Sequence, residues 1–185
     1  KLQKMEKKVV PLLLMIVLLI SCQMNTKENS SGDVAINAGD EKTTLVSNND
    51  PSEETMKVAQ AFMGAMGKGD MDTMISLMHD DMIWQNAGDK SLPWIGPWKG
   101  KKAILEEFLP VFGENFQTIK WVPNDGFASG DTAAFFGQMV GLLTKSNTET
   151  AEFTYALRVK VKDGKVILWN WFEDSFEVSQ AYHKE

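Results

Sequence analysis

The sequence predicts an α+β domain in which three helices cover one face of a strongly curved, mixed or antiparallel sheet. Two patterns carry this expectation. Between residues 51 and 112, apolar residues recur at helical spacing in three separate stretches. From residue 116 onward the pattern changes to long strand-like runs separated by Asp-Gly and Gly-Asp pairs. Helices followed by a meander of strands form segregated layers, not alternating βα units. The first fifty residues show neither pattern, so the domain is expected to span 51–185.

The chain opens with an export signal, assigned to residues 1–21. Lys4, Lys7 and Lys8 precede an apolar run from Val9 to Ile20 that contains no charge. Twelve helical residues rise only about 18 Å, short of a hydrocarbon core about 30 Å thick, so the run is not expected to span. Its end, Leu19-Ile20-Ser21-Cys22, resembles a lipobox. That resemblance implies diacylglycerol on the Cys22 thiol and cleavage before it, with Met5 the expected start of translation. Each acyl chain adds about 0.8 kcal/mol per buried methylene, so a multiply acylated terminus holds a protein on a membrane. The expected location is the bacterial cell envelope. Gln23, rather than Asp, after the cysteine points to the outer membrane in a Gram-negative cell. Cys22 is the only cysteine, which excludes an intrachain disulfide.

Residues 22–50 are then a lipidated tether. They are rich in Asn, Ser, Thr, Gly, Asp, Glu and Lys and cannot bury enough surface to offset their ordering entropy. A flexible chain of that length spans roughly 30 Å by the square-root rule. Losing residues 1–21 removes four lysines and one glutamate and takes the formal charge from −6 to −9. Nucleic acid is not an expected partner.

Within the domain, Ser52 is placed to cap a first helix bearing Val58, Phe62, Ala65 and Met66. Gly67 and Gly69 end it, and Asp70 caps a second helix with Met71, Met74, Ile75 and Met78. A strand follows from Met82 to Asn86. A loop rich in Gly, Pro and Trp leads to a third helix, Lys101 to Phe112. Strands are expected at 116–122, 132–143, 152–162 and 165–175, the last two joined by a hairpin at Asp163-Gly164.

Four short segments now fall into place: Gly69-Asp70, His79-Asp80-Asp81, Gly96-Pro97-Trp98-Lys99-Gly100 and Asp163-Gly164-Lys165-Val166. In order and spacing they resemble the SnoaL-like branch of the nuclear transport factor 2-like superfamily, over about residues 53–181. The resemblance implies a cystatin-like roll, a cone whose pocket lies between the helices and the concave sheet. It also locates the catalytic positions of enzyme relatives. The oxyanion-hole tyrosine of ketosteroid isomerases falls on Phe62, their general-base aspartate on Asn86 and their protonated aspartic acid on Leu157. Trp84-Gln85-Asn86 is similar to the Tyr-x-Asn of limonene epoxide hydrolases, but their base aspartate falls on Trp171, and their Arg-x-Asp pair has no counterpart in 132–143. The resemblance therefore implies that both known chemistries are absent, since neither the base nor the donors remain.

Strand parity combined with the family register then points Trp84, Asn86, Phe136, Gln138, Val140, Phe153, Tyr155, Leu157, Val159, Trp169, Trp171 and Glu173 inward. With Phe62, Met66 and Phe108 they would line an aromatic cavity, and Trp98 of the preceding loop joins the candidate ligand contacts. Such a lining either fills a core or receives a small hydrophobic molecule oriented by Asn86, Gln138, Tyr155 and Glu173. Glu173 is the one candidate acid or base, because a carboxylate among tryptophans titrates high. His79 and His183 lie apart with no cysteine at ligand spacing, so neither a metal nor a cofactor is expected. Phe135, Met139, Leu168 and Phe172 would then face outward, an apolar surface suited to a homodimer. The expected function is a ligand-binding or dimeric interaction module; the alternative is a lyase, isomerase or hydrolase using Glu173.

Overall fold

The computed structural model describes residues 50–184. The segments expected from the sequence to be an export signal and a lipidated tether, Cys22 included, lie outside the described residues apart from residue 50. Helix α1 (Pro51–Lys68) and helix α2 (Met71–Ser76) come first. Asp50, not Ser52, caps α1, its carboxylate accepting from Ser52 N at 2.9 Å. Ser52 instead accepts from Gly130 N at 3.0 Å, which ties the helix to the turn between two strands. Gly69 ends α1 in the left-handed region at φ 68°, and Asp70 caps α2 by accepting from Thr73 N, both as expected.

Strand β1 (Met78–Asn86) begins four residues earlier than predicted. After the loop and the short strand β2 (Trp98–Lys99), one helical run comprises α3 (Lys101–Ala103), a π-helical turn (Ile104–Phe108) and α4 (Leu109–Asn115). Leu109 N reaches back five residues to Ile104 O, next to Pro110, which has no N–H to continue the α-helical ladder. Strands β3 (Phe116–Ser129), β4 (Thr132–Leu143), β5 (Thr148–Glu149), β6 (Phe153–Lys162) and β7 (Lys165–Glu173) follow, then helix α5 (Ser175–Tyr182).

Two element expectations are corrected. Asp125-Gly126, one of the Asp-Gly pairs expected to separate strands and so to end the one predicted at 116–122, does not turn the chain: β3 runs through it with a register shift between Pro123 and Asp125, a bulge that bends the strand. The last strand stops at Glu173, because Asp174 caps α5 by accepting from Phe176 N. Asp163 and Gly164, at φ 52° and 69°, do form the predicted hairpin turn, since both adopt the left-handed conformation such a turn requires.

The strands form one sheet in the order β2-β1-β7-β6-β4-β3, with β5 beside β4. Only β1 and β7 run parallel; the other pairs are antiparallel. Helix α1 lies across β3, β4, β6 and β7 on the inner face. The sheet curls around it as a half-barrel, an α+β architecture with helices on the concave side.

A candidate ligand site at the ends of β6 and β7

Trp169, Trp171 and Glu173 alternate along β7, so all three face inward, and the register extends that face sideways. Trp169 pairs with Trp84 and Val159, Trp171 with Asn86 and Leu157, and Glu173 with Tyr155. Leu157 and Tyr155 in turn pair with Phe135 and Gly137 of β4. Directly opposed residues point the same way. Phe135 and Met139 are therefore on the inner face, whereas Phe136, Gln138 and Val140 are on the outer one, the reverse of the sequence expectation. The apolar pattern of β4 fits either parity. Bulk decides it: a Cβ on Gly137 would lie 2.8 Å from the Tyr155 ring, and one on Gly141 2.1 Å from that of Phe116. Only glycines fit where those rings lie.

The deep part of the cone is filled. The Phe62 and Trp169 rings are 5.2 Å apart, Trp84 and Trp169 5.2 Å, and Trp84 and Phe108 4.9 Å, and all four residues are buried. Leu157 is packed beside them. Trp84 Nε1 donates to Asn86 Oδ1 at 3.2 Å, so the Asn86 amide is engaged by a neighbouring indole. Trp98 packs against Phe108 and donates to Trp94 O at 3.1 Å, as a wall of the loop.

Towards the end of β7 the inner face becomes polar. Trp171 stacks on Tyr155 at 4.3 Å with the rings 15° apart, and its Nε1 donates to Glu173 Oε2 at 2.7 Å. Trp121 of β3 packs against both rings, 6.5 Å from each. Burial pushes the Glu173 carboxyl up to about 7, the indole hydrogen bond opposing the shift and the charge of Asp174 adding to it. Burial likewise pushes the Tyr155 phenol up to about 12, so it is neutral and can donate. A groove of about 580 Å³ opens where β6 begins and β7 ends, lined by Asn124, Asp125, Phe136, Gly137, Gln138, Thr154, Tyr155, Ala156, Phe172, Glu173 and Asp174.

Of the predicted ligand contacts, the structure brings Phe136, Gln138, Tyr155 and Glu173 to this groove. Trp171 stands directly behind Tyr155 and Glu173. Phe62, Trp84, Leu157 and Trp169 are in the filled core. Trp121, Thr154, Ala156 and the Asn124-Asp125 pair were not singled out from the sequence. Reading a turn at Asp125-Gly126 hid that β3 continues past the site.

A family model for the SnoaL-like domain matches residues 59–169. The chain belongs to the SnoaL-like family. Solved structures agree on the fold of this SnoaL-like domain. A nuclear transport factor 2-like protein from Burkholderia xenovorans is 22% identical with a TM-score of 0.63, covering 71% of this chain and 98% of that one. An LEH-like epoxide hydrolase from M. tuberculosis is 17% identical with a TM-score of 0.55, covering 71% and 90%. TerC, co-crystallised with polyporic acid, is 17% identical with a TM-score of 0.60, covering 71% and 99%. No curated protein sequence matches significantly.

Proposed function

We propose that the chain is a lipid-anchored envelope protein whose SnoaL-like domain binds a small, mainly apolar molecule in the groove beside Glu173 without transforming it. The observation that carries this reading is the contrast between the closed depth of the cone and an open groove that both faces of the sheet line at the ends of β6 and β7. Close-packed rings occupy the catalytic depth of the cone, while Tyr155 and Glu173 border open space flanked by Phe136 and Phe172. Aromatic walls with a few polar groups are what a small-molecule site requires. The epoxide hydrolase and the TerC complex support ligand binding by this fold, not any one ligand. The anchor rests on Cys22 and the apolar run before it.

The reading is tested by titrating a panel of hydrophobic metabolites into the full-length chain and into a Phe136→Ala/Phe172→Ala variant. Saturable binding that weakens at least several-fold in the variant supports it. Affinity untouched by the variant places the ligand elsewhere and defeats it.

A second reading is acid–base chemistry, favoured by the Glu173 carboxyl that titrates near neutrality and so can accept or deliver a proton. Its mark is turnover of a bound compound that Glu173→Gln abolishes while affinity persists. We further propose that a second copy of the chain covers the outer face around Phe127 of β3, which is 61% exposed. Analytical ultracentrifugation then shows a dimer that Phe127→Ser dissociates.

A further inference from the structure

We propose that the groove selects organic cations, a small apolar body carrying one ammonium group, held between the rings of Phe136 and Phe172 and the carboxylates of Asp125, Glu173 and Asp174. This rests on the binding reading above and names the class of molecule bound. The lining contains these three acidic residues and no lysine, arginine or histidine. Asp125 and Asp174 are exposed and Glu173 is partly exposed, so none of the three is sealed from a solute in the groove. Asp125 opposes Phe136 across the β3–β4 ladder, which sets a carboxylate beside an aromatic ring on one face of the sheet.

The protein supplies no counter-charge of its own. Among the described residues, none of the three carboxylates takes part in an ion pair. Lys120 of β3 is held by Glu152 and Lys160 of β6 by Asp131, while Arg158 of β6 lies opposite Asn170 and does not line the groove. The charge of Asp174 adds to the burial that raises the Glu173 carboxyl, a repulsion that a bound cation relieves. The walls favour the same class, since Phe136 and Phe172 are 41% and 46% exposed and aromatic faces attract a cation as well as apolar groups. A metal ion fits poorly: among the described residues no three carboxylates or imidazoles stand close enough to hold one, so the negative charge is spread along the groove.

The test compares 2-naphthylmethylammonium with 2-naphthylmethanol, nearly the same size and polar but uncharged, by calorimetric titration at neutral pH. Both are titrated into the full-length chain and into its Asp125→Asn/Glu173→Gln/Asp174→Asn variant. The replacements keep side-chain size, and Asp174→Asn retains a cap for α5, so the variant is expected to fold, which a cooperative thermal transition checks. The cation is expected to bind about tenfold more tightly than the alcohol in the unaltered chain, because an exposed charge pair and a cation over an aromatic ring each add less than tenfold. That preference falls several-fold in the variant. Equal or tighter binding of the alcohol by the unaltered chain, or a preference undiminished in the folded variant, overturns cation selection and leaves the binding reading standing. If neither compound binds, the binding reading fails and cation selection fails with it.

Discussion

Glu173 holds its carboxyl against the Trp171 indole in surroundings that favour the neutral acid, and this has a consequence for stability. An unfolded chain titrates such a group at about 4.5, the folded protein at about 7, so the folded state binds the proton more tightly. The stabilisation linked to Glu173 is therefore complete below pH 4.5 and is lost as pH rises through 7. In Glu173→Gln this dependence disappears. Urea unfolding across pH 5 to 8 should show the unaltered chain losing stability relative to the variant as pH rises; parallel curves would show that the carboxyl is solvated. The inward placement of this residue beside Trp171 was legible from strand parity combined with the family register. Its partner in β6, Tyr155, was legible for the same reason. Phe136 and Gln138 reached the same groove from the opposite face of β4, which parity alone did not reveal. The information was present in Gly137 and Gly141, whose fourfold spacing marks the face where other strands' rings need room.

At the scale of elements, the caps and turns that rest on local chemistry were readable, including Asp70, Gly69 and the Asp163-Gly164 hairpin. Features set by distant partners were not. Helix α5 is short, and part of what holds it is Asp89, which accepts from Ser179 Oγ at 2.5 Å across 90 residues of sequence. That bond, with help from Ser91, holds the Asp89 carboxyl down to about 2. The same distinction governs the glycines. Gly64 is exposed within α1 with nothing within 4 Å of an added Cβ, so Gly64→Ala should raise stability by about 0.5–1 kcal/mol through helix propensity. Gly141→Ala drives a methyl into the Phe116 ring and should cost about 1–3 kcal/mol. Chemical denaturation of the two variants side by side checks both signs at once. A Gly141→Ala protein as stable as its parent would mean that the β3–β4 packing differs from that described.

For the molecule as a whole, the depth of the cone is packed as core. Phe62, Asn86 and Leu157, which the sequence resemblance sets against the catalytic positions of enzyme relatives, are each buried among their neighbours. The fold class could be read from the order of helical and strand-like runs along the chain. How far the rings fill the cone depends on three-dimensional fit, which no spacing encodes. The account places what function remains at the margin, around Tyr155, Trp171, Glu173 and Trp121. The most direct measurement is NMR of the tryptophan side chains labelled with nitrogen-15, recorded as a bound hydrophobic compound is titrated. The account predicts that the Trp121 and Trp171 indole signals shift together while those of Trp84 and Trp94 stay in place. Shifts confined to Trp84 and Trp94 would put the ligand in the interior described here as solid, and would contradict it.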